Sequence, residues 1–105
     1  MTNVIVQGVF SVNQDEREQF LEASIEGMRV SRQEAGCLEY VLAADPVDPG
    51  RVILSERWES IDHLDEHIRA MTARRESDGP AANPRPDPLS RQITVYEVAS
   101  SRPLG

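Results

Sequence analysis

Apolar side chains recur at every second position in four short stretches of the chain, which is the pattern of half-buried β-strands. We predict strands over residues 4–12, 37–45, 51–58 and 92–99. Two prolines and a glycine between Asp45 and Gly50 are typical of a turn, so the second and third strands are predicted to form a hairpin.

Two stretches between the strands place apolar residues at helical spacing and predict two helices. The first helix is expected to begin at Asn13, where Glu16 completes a capping box, and to end near residue 33. Its apolar side consists of Phe20, Leu21, Ser24, Ile25 and Met28. The second helix is expected to begin after Ser60 as its N-cap. Its apolar stripe consists of Ile61, Leu64, Ile68 and Met71.

A proline-rich segment, residues 76–91, separates the second helix from the last strand. It contains Pro80, Pro84, Pro86 and Pro88. Proline lacks a backbone N–H and fixes φ, so we expect no regular structure here. A loop of this length in a small domain acts as a lid or an arm, or is disordered.

The order of elements, βαββαβ with a central hairpin, predicts a ferredoxin-like α+β fold with a four-stranded antiparallel sheet. Two helices cover only one face of such a sheet, yet apolar residues occur in both phases of the strands. Those expected on the uncovered face are Ile5, Val9, Val41, Ile53, and either Ile93 with Val95 or Tyr96 with Val98. We therefore predict a homodimer in which two copies pack sheet to sheet.

Composition narrows the class of protein further. The chain of 105 residues suits a single domain, residues 1–105, and its net charge of -7 argues against binding to nucleic acid or membrane surfaces. One cysteine excludes an internal disulfide framework, and the absence of lysine excludes Schiff-base chemistry. The first residues lack a basic segment followed by an apolar one, so we expect no export signal and a cytoplasmic location.

His67 is the strongest candidate for proton transfer, because imidazole is the side chain that exchanges a proton most readily near neutral pH. Helical geometry places it at the border of the apolar stripe, where it is either a general base or a half-buried histidine without a role. His63 and His67 could supply two metal ligands, but no third candidate ligand lies at a sequence spacing typical of a metal site. We therefore predict no metal site.

Aromatic residues supply the other candidates. Trp58, at the end of the third strand, is either part of the core or a flat wall against an aromatic ligand. Tyr40 and Tyr96 either pack on their strands or anchor a ligand oxygen. Cys37 is expected to be a structural thiol, and Arg57 to form an ion pair across the predicted dimer face.

Four stretches in a fixed order resemble the antibiotic biosynthesis monooxygenase family. They are residues 31–40, 45–49, 54–60 and 64–67, and the similarity extends over most of residues 3–99. The resemblance implies ferredoxin-like subunits that dimerise into an α+β barrel. His67 matches the family's L-x-x-H histidine, Trp58 matches the aromatic that follows the third-strand glutamate, and Tyr40 matches the tyrosine of G-C-x-x-Y.

The resemblance also implies an activity: cofactor-independent oxidation of a small hydroxylated aromatic compound or quinol by O₂, with His67 as general base and no cofactor. The substrate-binding residues expected on this basis are Trp58, Tyr40, Leu64, Met71 and Phe20. Two alternatives stay open. One is a non-catalytic dimer that binds a small ligand, for example in a stress response, and the other is an isomerase-like activity on a small carbonyl compound.

The sequence departs from the family pattern in the loop of residues 76–89, which is unusually proline-rich, and at two residue positions. Thr72 occupies the position where many members have a second histidine, five residues after the first. The asparagine that haem-degrading relatives carry on the first strand is absent, with Gln7 and Gly8 in that region. The missing asparagine argues against haem as a ligand.

Overall fold

The structure is a computed structural model that describes residues 3–79 and 84–105. Its elements are β1 (Val4–Ser11), a short 3₁₀ turn (Gln14–Glu16), α1 (Arg17–Arg32), β2 (Cys37–Ala44), β3 (Arg51–Trp58), α2 (Ile61–Asp78) and β4 (Ser90–Glu97). The strands form one antiparallel sheet in the order β2-β3-β1-β4. This topology confirms the predicted ferredoxin-like α+β fold.

The two helices start in different ways. The hydroxyl of Ser60 accepts a hydrogen bond from the backbone N–H of His63, which is the predicted cap of α2. The predicted capping box at Asn13 is wrong, because the Asn13 side chain makes no cap hydrogen bond. Instead, the backbone N–H of Glu16 donates to the Asn13 carbonyl at 2.9 Å, and the resulting 3₁₀ turn delays α1 to Arg17.

The irregular segment before β4 is shorter than predicted. Residues 76–78 continue α2, and β4 already begins at Ser90. Pro84, Pro86 and Pro88 lie outside regular structure, as their missing N–H groups require. The predicted loop also includes residues 80–83, which lie outside the described residues.

The hydrophobic core lies between the sheet and the helices. Strands β1 and β3 alternate strictly between buried and more exposed positions, so one face of each strand enters the core. The buried apolar side chains are Val4, Val6, Phe10, Val12, Phe20, Leu42, Val52, Leu54, Trp58 and Leu64. Half-buried Leu21, Met28, Cys37 and Tyr40 pack around them. This core positions the polar side chains described below.

Helix α2 is rotated relative to the predicted stripe. Leu64 and His67 are buried, whereas Ile61 and Ile68 are exposed. The prediction was wrong for these two isoleucines because it treated His67 as polar, although a histidine with a buried partner can enter the core. Ile25 of α1, also expected on the apolar side, is exposed too.

Strand β4 is exposed along its whole length. Its register with β1 pairs Val95 with Val6 and Tyr96 with Ile5. Val95 therefore faces the helices, and Tyr96 lies on the opposite face with Ile5. No helix formed by residues 3–79 or 84–105 is long and apolar enough to span a membrane.

Candidate active site

His67 lies at the centre of a buried polar cluster. Only 4% of its surface is exposed, and Nδ1 is 2.6 Å from Oε1 of Glu34, in the turn between α1 and β2. A carboxylate can only accept, so this contact assigns a ring proton to Nδ1, and in the neutral imidazole Nε2 then carries the lone pair. The histidine is thus deeper than the border position that the sequence predicted, and Glu34 satisfies one ring nitrogen there.

Two aromatic rings flank the imidazole. The Trp58 ring centroid is 4.7 Å away with an interplanar angle of 32°, and the Tyr40 centroid is 5.4 Å away at 59°. Trp58 is fully buried, and its indole N–H donates to Oε1 of Glu56 at 2.9 Å. The imidazole is therefore held between rings on two neighbouring strands, β2 and β3, and by a carboxylate at its edge.

Glu56 is the member of the cluster that sequence reasoning missed. It is buried, and burial raises its pKa, while the hydrogen bond from Trp58 and the charge of His67 act in the opposite direction. A signal was present in the sequence. Val52, Leu54 and Trp58 occupy the inward phase of β3, and Glu56 interrupts that apolar series. We call Glu34, Tyr40, Glu56, Trp58 and His67 the imidazole cluster.

Tyr40 stays protonated at neutral pH. Burial, and then the nearby Glu56, raise the pKa of its phenol to about 12. Its hydroxyl is therefore a hydrogen-bond donor rather than a base. Because the ring also lines the groove described below, Tyr40 connects the imidazole cluster to an accessible surface.

The turn between α1 and β2 depends on a glycine. Gly36 has a φ of 78°, and a Cβ at this position would overlap the ring of His63. Nδ1 of His63 lies 2.7 Å from the Ser60 hydroxyl. His63 thus packs against the turn that carries Glu34. Within residues 3–79 and 84–105, no group of three histidine, cysteine or acidic side chains is arranged to hold a metal ion.

A groove of about 660 Å³ separates α1 from α2 above the sheet. One wall of the groove is formed by small residues of α1, whose size leaves this volume open. They are Ser24, Gly27 and Ser31. Among the predicted substrate-binding residues, Tyr40 and Met71 line the groove. Trp58, Leu64 and Phe20 are buried in the core beneath it. The structure therefore brings the predicted residues into one region but exposes only Tyr40 and Met71 to the groove.

A ferredoxin-like domain in which a buried histidine pairs with a half-buried carboxylate near a half-open groove defines a class of small α+β domains suited to ligand binding or proton transfer. The sequence matches the antibiotic biosynthesis monooxygenase family over residues 3–75. The chain belongs to this family, which confirms the resemblance noted in the sequence.

Solved structures share the fold. A candidate antibiotic biosynthesis monooxygenase from Deinococcus radiodurans superposes with a TM-score of 0.73 at 21% identity, covering 97% of this chain and 98% of that one. A haem-degrading protein from Mycobacterium tuberculosis, with two haems bound in its active site, superposes with a TM-score of 0.70 at 17% identity, covering 95% and 99%. An uncharacterised Synechocystis protein is 25% identical over 103 residues, 96% of this chain and 67% of its own length.

Proposed function

We propose that this protein is a cofactor-independent monooxygenase that oxidises a small hydroxylated aromatic compound or quinol with O₂. The observation that carries the proposal is the contact between His67 and Glu34, whose Nδ1 and Oε1 atoms are 2.6 Å apart. A hydrogen bond of this kind fixes the tautomer and orients the second ring nitrogen so that it can accept a proton. Family membership supports the same general activity.

In the proposed reaction, Nε2 of His67 accepts a proton from the substrate hydroxyl. The resulting anion transfers an electron to O₂, and recombination of the two radicals forms a bond between oxygen and a ring carbon. The imidazolium returns its proton to the peroxide formed in this way. The O–O bond then breaks as the hydrogen on the same ring carbon leaves as a proton, which gives a carbonyl and water, so the substrate supplies all four electrons that O₂ accepts. Glu34 stabilises the imidazolium that forms, as a buried carboxylate does for a catalytic histidine.

The substrate is proposed to bind in the groove against Tyr40. The phenol ring lines the groove and its centroid is 5.4 Å from that of the imidazole. Because only 4% of His67 is exposed, the substrate reaches Nε2 only if the side chains around Tyr40 shift when it binds. When those side chains repack over the bound substrate, they exclude water from the radical pair.

Oxygen uptake with a panel of quinols tests the proposed reaction. We expect the wild-type protein to consume O₂ above the buffer rate, and His67→Ala to lower that rate by about 10² or more, the usual contribution of a general base. Glu34→Gln keeps the size of the side chain and removes its charge. This variant therefore tests the contribution of the carboxylate in a protein whose packing is retained. Arg69→Ala, an exposed change on the same helix, is the matched control and should retain activity.

Three outcomes would contradict the proposal: no uptake by the wild type, full uptake by His67→Ala, or full uptake by Glu34→Gln in a folded protein. If quinols raise the melting temperature without oxygen uptake, and still do so in His67→Ala, the protein is a ligand-binding module instead.

We also propose that the protein is a homodimer formed through the sheet face opposite the helices. Ile53 and Tyr96 are exposed on this face, and Ile5, Val9 and Val41 are half-buried. The registers place Val9 beside Ile53 and Ile5 beside Tyr96, so the apolar residues are neighbours on adjacent strands. An apolar patch of this kind favours a symmetric, self-complementary contact.

Sedimentation at micromolar concentration tests the dimer. We expect the wild type to sediment at twice the chain mass of 11.7 kDa, and Ile53→Glu to sediment as a monomer. Arg29→Glu, an exposed change on α1, is the control and should leave the dimer intact. A wild-type protein that sediments as a monomer would contradict the proposal.

A further inference from the structure

Arginine is concentrated in the groove between α1 and α2, although the protein as a whole is acidic. Four of the chain's 11 basic residues line this groove. They are Arg74 and Arg75 on α2, Arg85 before β4, and Arg91 on β4. We call this region the arginine groove. Because the whole chain carries a net charge of -7, this local concentration of arginine is the unusual feature of the surface.

These arginines lack direct carboxylate partners. In the part of the chain that the structure describes, none of the four has a carboxylate oxygen within 4.0 Å. Three acidic residues also line the groove, Glu26, Asp78 and Asp87. Glu26 lies 3.7 Å from Arg29. The guanidinium groups in the groove are therefore available to an external anion.

Arg85 is held in place by aromatic rings. Its guanidinium carbon lies 4.6 Å from the Phe20 ring centroid and 5.5 Å from that of Phe10. The register between β1 and β4 pairs Phe10 with Arg91. Arg85 and Arg91 therefore approach the same end of the groove, the end above Phe10.

Two other arginines lie close enough to act on the guanidinium of Arg85. Burial, and next the neighbouring Arg75, lower the pKa of Arg85, and Arg91 acts in the same direction. Tyr40 and Asp87 act in the opposite direction without reversing the effect. A ligand anion would relieve the repulsion among these cations, as opposite charges do in partly buried sites.

The rest of the groove is suited to a ring. Tyr40, Leu42 and Met71 line it with apolar surface, and Gly27 on α1 leaves space opposite them. We propose that the arginine groove binds an aromatic acid, whose ring packs on Tyr40, Leu42 and Met71 and whose carboxylate binds Arg85 and Arg91. Since this names the substrate class for the same groove, the inference rests on the proposed function, but the binding it predicts is measured without oxygen.

Hydroquinone and gentisate provide a matched pair of probes, because gentisate is hydroquinone with one added carboxylate. We expect anaerobic calorimetric titration of the full-length protein to show that gentisate binds at least about tenfold more tightly, the usual effect of a hydrogen bond to charged groups. Arg85→Gln and Arg91→Gln should each remove most of this preference. Arg69→Gln, an exposed arginine on α2 that pairs with Glu66, is the matched control and should keep it.

The result that overturns the inference is a wild-type protein without preference for gentisate, including one that binds neither probe. Preference that survives in Arg91→Gln and Arg85→Gln would also overturn it. Arg91 is exposed, so its replacement tests the site without disturbing the core. If gentisate is preferred but no oxygen is consumed in air, the anion site stands and the monooxygenase proposal fails. If hydroquinone is oxidised but gentisate is not bound more tightly, the monooxygenase proposal stands and the anion site fails.

Discussion

The imidazole cluster and the arginine groove meet at Tyr40. They differ in whether their charged side chains already have partners within the fold. In the cluster, Nδ1 of His67 pairs with Glu34, and the indole N–H of Trp58 pairs with Glu56. In the groove, Arg85 stacks on phenyl rings and has no described carboxylate within ion-pair distance. Buried polar groups need hydrogen-bond partners within the fold, whereas charged groups that line a groove can be paired by a bound ligand.

The comparison also separates two kinds of candidate residue. A side chain whose hydrogen bonds are already made, as in the cluster, is held in one orientation. This suits a general base, which must present one atom to the substrate. A side chain without an ionic partner suits recognition, because the ligand supplies the missing charge.

The largest effect is expected from adding a methyl group at the glycine beside the cluster. Gly36→Ala forces a positive φ on alanine, which costs about 1–2 kcal/mol, and it adds an overlap with His63. We expect the free energy of unfolding to fall by about 3 kcal/mol in urea titration. Gly27→Ala, in the groove wall, is the control, because its added Cβ meets nothing within 4 Å. It should raise stability by about 0.5–1 kcal/mol, as alanine does in a helix. Equal changes in the free energy of unfolding for Gly36→Ala and Gly27→Ala would contradict this expected difference between the two glycines.

A smaller effect concerns salt. Added salt screens exposed charges and leaves buried pairs largely unaffected. We expect the affinity for gentisate to fall several-fold between about 0.05 M and about 0.5 M salt, while that for hydroquinone stays constant. Calorimetry at several salt concentrations measures both affinities. Parallel changes for the two probes would show that the groove does not recognise the carboxylate.

The smallest effect concerns the pH dependence of stability. Burial raises the pKa of Glu56, so between the ordinary glutamate pKa and this higher value the folded protein keeps a proton that the unfolded chain has lost. Stability from this group is therefore present at low pH and lost as pH rises through that interval. Glu56→Gln cannot titrate but still accepts the bond from Trp58.

Urea unfolding from about pH 4 to about pH 8 measures this difference. We expect the variant to gain stability relative to the wild type as the pH rises. A constant difference between Glu56→Gln and the wild type at all pH values would contradict the assignment.

Much of the fold was predictable because it rests on local patterns. The alternation in β1 and β3 placed both strands to within about one residue, and Ser60 identified the start of α2. The phase of β4 was not predictable. Apolar residues occupy both of its phases, and only the register with β1 assigns Val95 to the helix side.

The candidate site was predictable in part. His67, Trp58 and Tyr40 were identified from residue type, position and family resemblance, and the structure brings their rings together. Glu34 was not found, because it lies 33 residues from His67 in the chain and only the fold brings it to Nδ1. Arg85 was not found either, since it belongs to a proline-rich segment without periodicity.

The amino-acid order alone determined the strands, the helices and their βαββαβ arrangement, because hydrogen-bond geometry and the period of apolar side chains act over short distances. The tertiary structure decided which charges are paired and which are open. Helix rotation buried His67 against Glu34, and the approach of a loop to Phe20 brought Arg85 to the groove. Both depend on the packing of segments distant in sequence, which no local pattern encodes.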